Sequence, residues 1–106
     1  MMATSQEYIE FVCEQIEGNW LVRYKKMFGE YMVYVNEKPI FLVCDNCVFI
    51  KQSKQVDELM AGAPVGTPYK GAKDHYILDM ENKELVDKIV VILEEITQIP
   101  KKKVKK

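Results

Sequence analysis

Residues 30–51 read EYMVYVNEKPIFLVCDNCVFIK, and their alternation decides the fold. Glu30 to Val35 is rich in Tyr and Val with a period near two, the pattern of a strand with one buried face. Asn36 to Pro39 supplies turn chemistry, after which Ile40 to Cys44 reads as the next strand. Asp45 and Asn46 tolerate the positive φ that a tight hairpin requires, so Cys47 to Lys51 is expected to return antiparallel to that strand.

Upstream, Leu21, Arg23 and Lys25 alternate with Val22, Tyr24 and Lys26, which gives a strand ahead of these three, and Gly29 interrupts the pattern. Four sequential strands make a meander. Thr4 and Glu7 have the capping-box spacing, and Tyr8, Ile9, Val12, Cys13 and Ile16 then recur at helical intervals up to Gly18, a first helix of about three turns. Downstream, Ser53 is placed to cap a short helix through Val56, Leu59 and Met60, which the Gly62, Pro64, Gly66 and Pro68 series ends. Ala61 to Lys73 is long for a connection in so small a domain and is either a functional lid or packed on the core, with Tyr69 as its large apolar anchor. His75 to Met80 reads as a fifth strand, and Asn82 caps a closing helix over about Lys83 to Gln98. The apolar residues of that helix cover more than the stripe one sheet contact demands, so a flank is expected to meet the first helix or another subunit. The order α-β-β-β-β-α-β-α predicts an α+β two-layer sandwich, an antiparallel sheet of about five strands with helices on one face.

The chain has 106 residues, 48% apolar and 29% charged, which fits one domain over residues 1–100 followed by a lysine-rich tail at 101–106. No apolar run approaches the roughly 20 residues that span a bilayer. No leader pattern is read at the opening, so the expected address is the cytoplasm. Lys101, Lys102, Lys103, Lys105 and Lys106 are five of the 15 basic residues, leaving the body with 10 against 16 acidic side chains, a net charge of about −6. Such a body does not offer nucleic acid a broad basic face. The tail is either a flexible solvated end or a weak anion-seeking arm.

Cys44-Asp45-Asn46-Cys47 has redox and metal spacing, but the cysteines flank a hairpin turn rather than a helix N-terminus, and a zinc site would also need Cys13 and His75. Buried, reduced thiols are expected. His75 stands beside Asp74 with no nucleophile fixed near it, since Ser5 and Ser53 read as helix caps and no Gly-x-Ser-x-Gly elbow occurs. The glycines form no phosphate loop. Arg23, Tyr24, Lys25, Lys26, Phe28, Tyr31 and Tyr34 interleave rings with cations, which serves either single-strand stacking or a core whose edges are covered by Lys stems.

At this segment the chain resembles the N-terminal domain family of the TfoX/Sxy competence regulators. Arg23, Met27, Phe28, Gly29, Tyr31 and Tyr34 match that family's Arg, its Met-Phe-Gly-Gly-Tyr block and its further Tyr, with Glu30 in place of the second glycine. The leading helix, the Leu42-Val43 and Phe49-Ile50-Lys51 strands, the Pro68-Tyr69 pair and the closing helix follow in the same order, while Ile77-Leu78-Asp79-Met80 departs from the family's aromatic-Glu-Val-Pro segment. Gly29 would let the chain reverse or bulge between strands, with Met27 and Phe28 filling core space. The resemblance implies a fold like that of dimeric secretion chaperones and a part in transcriptional regulation of DNA uptake. It brings no catalytic residues and no cofactor or metal. The expectation is a stand-alone, non-enzymatic regulatory domain that binds protein, as a homodimer. The alternatives are nucleic-acid binding through Arg23, Lys25, Lys26, Lys101, Lys102 and Lys103, and a small-molecule site or enzyme with the 61–73 loop as lid over Tyr69 and His75.

Overall fold

In β2 (Glu30–Val35) burial alternates residue by residue: Tyr31, Val33 and Val35 face the core, Met32 and Tyr34 the other side. The computed structural model describes residues 5–27 and 30–99, Met27 by its backbone. Gly29, Phe28, the Met27 side chain, Thr4 and the lysine tail therefore lie outside the described residues.

β2 pairs on one side with β1 (Val22–Met27) and on the other with β3 (Lys38–Cys44), both antiparallel. The β2–β3 turn places Asn36 and Glu37 at φ 53° and 70°, and the next turn places Asp45 and Asn46 at 51° and 56°. Two consecutive positive φ values give the hairpin geometry that follows the strand twist. The turn chemistry at Asn36 thus closes two residues earlier than expected, and Lys38 and Pro39 already belong to β3. A register shift between Val33 and Tyr34 sets Pro39 opposite Tyr34, at an irregularity where its missing N–H breaks no regular ladder. β4 (Cys47–Lys51) follows, then α2 (Lys54–Asp57), the two-residue β5 (Val65–Gly66), β6 (His75–Leu78) and α3 (Lys83–Ile96). The sheet order is β1-β2-β3-β4-β6-β5, every pair antiparallel.

The chain is therefore an α+β fold with an antiparallel sheet, as the alternation predicts, and its sixth strand comes from inside the long loop. The Pro64 carbonyl accepts from Ile77 N–H at 2.9 Å, and Val65 and Gly66 pair with Tyr76 and His75, so this segment is packed on the sheet.

One face of the sheet carries Tyr31, Val33, Phe41, Val43, Val48, Ile50 and Leu78 into a core shared with Ile9 and Val12 of α1 (Gln6–Gln15), Val56 of α2 and Val86, Ile89, Val90 and Leu93 of α3. The cap of α1 is Ser5, whose Oγ accepts from Tyr8 N–H at 3.1 Å, one residue later than the Thr4 spacing suggests. Ser5 N–H in turn donates to Asn46 Oδ1 at 3.0 Å, tying the hairpin tip to the helix start. Asn82 caps α3 as expected, accepting from Leu85 N–H. Ser53 sits at the N-cap of α2, but its hydroxyl makes no cap bond. Lys38 Nζ donates to the Glu94 carbonyl at 2.7 Å and to its carboxylate at 3.1 Å, pinning the β2–β3 turn to the last turns of α3. Among the described residues no helix is long and apolar enough to cross a membrane.

Candidate functional site

Strand alternation divides the aromatic and basic segment between the two faces of the sheet. Tyr31 is 5% exposed in the core, and Tyr24 meets its ring edge-on at 5.4 Å between centroids, its hydroxyl accepting from Gln6 Nε2. On the other face Arg23 makes a forked bond to Glu37, 2.8 Å from Nη2 and 3.1–3.2 Å from Nε, with its guanidinium 4.3 Å from the centre of the Tyr34 ring. That bond raises the Arg23 pKa and lowers that of Glu37. Lys25 and Lys26 are exposed on opposite faces of the edge strand β1. The residues read as nucleic-acid contacts thus do not form one stacking platform: one ring is core and the arginine fork is occupied. Phe28, Lys101, Lys102 and Lys103 lie outside the described residues.

Cys44 and Cys47 are placed by the β3–β4 hairpin and Cys13 by α1. Cys44 and Cys47 stand opposite one another across the Asp45-Asn46 turn. Burial, with the Glu30 carboxylate beside it, pushes the Cys44 thiol up to about 12; burial with Glu10 pushes Cys13 to about 11. Among the described residues no three His, Cys, Asp or Glu side chains are grouped to hold a metal. His75 Nδ1 lies 2.8 Å from the Lys73 carbonyl, which can only accept, so this nitrogen carries a proton.

Two concave surfaces stand out among the described residues. The larger is a cleft of about 590 Å³ where the sheet meets the end of α3. Its floor is Met32, Leu42 and Phe49, neighbours across β2, β3 and β4. Ile40, Leu93 and Ile96 wall it where α3 ends, and Lys51, Ser53, Tyr69 and His75 belong to the lining. Tyr69 and His75 both line this cleft, with Tyr69 61% exposed at the rim. Alternation from Phe49 to Lys51 puts both on one face and was legible in the sequence; the approach of Ser53 and the end of α3 to that face was not. The smaller surface is a groove of about 410 Å³ between α2 and α3, lined by Leu59, Val91 and Ile92 and edged by Asp87 and Lys88. This is the spare flank that the excess apolar residues of α3 predict, with Val91 49% exposed.

No family model matches the chain. Over 78 residues it is 40% identical to the "Uncharacterized 12.7 kDa protein in trpE 5'region" of Spirochaeta aurantia, a match that covers 74% of this chain and 68% of that protein. With that identity over most of both lengths, the chain belongs to the family of the Spirochaeta aurantia 12.7 kDa protein.

Proposed function

We propose that the chain is a non-enzymatic interaction module of the TfoX N-terminal kind, a cytoplasmic regulatory domain that acts by binding protein and pairs with a second copy of itself. The observation that carries this reading is the α3 flank. Val86, Ile89, Val90 and Leu93 already satisfy the sheet, yet Val91 stands half exposed beside Leu59 and Ile92. Glu84, Lys88, Val91 and Glu95 follow one another at helical spacing and are all exposed. If two copies of α3 cross antiparallel on a two-fold axis near Val91, Lys88 of one faces Glu95 of the other, twice over. The stripe is self-complementary, which favours a second copy over an unrelated partner. The α+β layout with helices on one face agrees with the fold that the resemblance implies. Charge reversal tests the pairing. Lys88→Glu and Glu95→Lys should each weaken self-association, and the double variant should restore it; single reversals with no effect on association would contradict the proposal.

A further inference from the structure

Lys51 and His75 face each other in the β4–β6 register, two residues along from Phe49 and Ile77, and both line the larger cleft. Beside them Ser53 keeps a buried Oγ with no hydrogen-bond partner, an arrangement rare in folded proteins because a shielded hydroxyl loses its water without compensation. From these residues the floor runs over Phe49, Leu42 and Met32, roughly 12 Å by strand spacing and rise. The chain has 16 acidic side chains, yet no Asp or Glu is among the described residues that line this cleft. A donor end, an apolar floor and the absence of lining carboxylates together define an amphipathic anion by chemistry.

We propose that this cleft binds a small carboxylic acid with an apolar tail, the carboxylate paired with Lys51 and accepting from the Ser53 hydroxyl, and from His75 Nε2 when the ring carries both protons, with the tail lying along Phe49, Leu42 and Met32 under Tyr69. The volume is in the range of small-ligand sites, and apolar walls with a few convergent polar groups are their usual composition. A singly charged head matches the single lysine, whereas a phosphate monoester would bring more charge and more acceptor oxygens than these donors meet. The Lys73 carbonyl holds the His75 ring through Nδ1, so Nε2 is the atom left for a ligand. The site goes beyond the docking reading and does not depend on it, because its lining shares no residue with the Val91 groove.

The test is titration of the full chain, in detergent-free buffer, with octanoate and with octanol, the uncharged analogue of similar length. Amide and side-chain chemical shifts and calorimetry report where and how tightly each binds. Saturable octanoate binding is expected, with shifts confined to β2, β3, β4, residues 52–53, the start of β6, residues 67–74 and the end of α3. Octanol should bind roughly tenfold more weakly. Lys51→Ala should cost octanoate a similar factor and leave octanol unchanged, and Lys51→Arg should retain binding; Lys51 is exposed, and an unchanged melting temperature confirms that these variants fold. Equal affinity for octanoate and octanol, shifts scattered over the surface, or no saturation would overturn the proposal.

Discussion

Glu37 holds φ at 70° in the second place of a two-residue turn, a backbone region that L side chains enter at a cost and glycine enters freely. Its carboxylate is meanwhile in forked contact with Arg23, an exposed pair whose return is small. Glu37→Gly should therefore raise the melting temperature or leave it level, while Glu37→Ala, which loses the pair and keeps the strain, should lower it; the reverse order would show that the ion pair outweighs the backbone. Cys44 offers a second residue-scale expectation. With its thiol pushed to about 12 and its side chain buried, iodoacetamide at about pH 8 should label it only as fast as the protein unfolds. Equal labelling in native and urea-unfolded protein would contradict this. Neither property was legible locally, because the partner of Glu37 lies 14 residues away and the carboxylate beside Cys44 belongs to another strand. At the start of α1 the signal itself was double: Thr4 and Ser5 both stand at cap spacing, and the hydroxyl of Ser5 is the one observed on a backbone N–H.

The strands were the most legible elements, since Glu30–Val35 alternates cleanly, Cys47–Lys51 is a short apolar run, and both are bounded by turn residues. β5 was not, because two residues carry no period and its pairing is fixed by Pro64 and Ile77, 13 residues apart in sequence. The cleft escaped for a similar reason, being assembled where the end of α3 meets a face that alternation describes only within each strand. Phe41, fully buried on β3 against the helix layer, should cost about 3–5 kcal/mol on replacement by Ala, measured by denaturant unfolding. The junction between α3 and the β2–β3 turn should be acid-sensitive. The bonds from Lys38 and then Asn36 hold the Glu94 carboxyl below its usual range. Stability from this contact is therefore present above the ordinary carboxylate pKa and is lost as pH falls through the lowered value. Glu94→Gln should flatten the fall in melting temperature between about pH 5 and about pH 3; an unchanged slope would remove the contact from the account.

For the whole molecule, charge and shape lead to the same view of partners. The body is acidic, Arg23 is engaged by Glu37, and Tyr31 is in the core, so retention of single-stranded DNA at low salt should depend on the tail and disappear when Lys101 to Lys106 are removed. Retention that survives this deletion would restore the sheet as a nucleic-acid surface. Self-association through the α3 flank is the claim on which the proposed function stands, and sedimentation equilibrium over a wide range of concentrations tests it most directly. The account predicts a mass that rises to twice that of the chain and falls back to one chain in Val91→Lys. A single-chain mass at every concentration, or a dimer indifferent to that substitution, would contradict it.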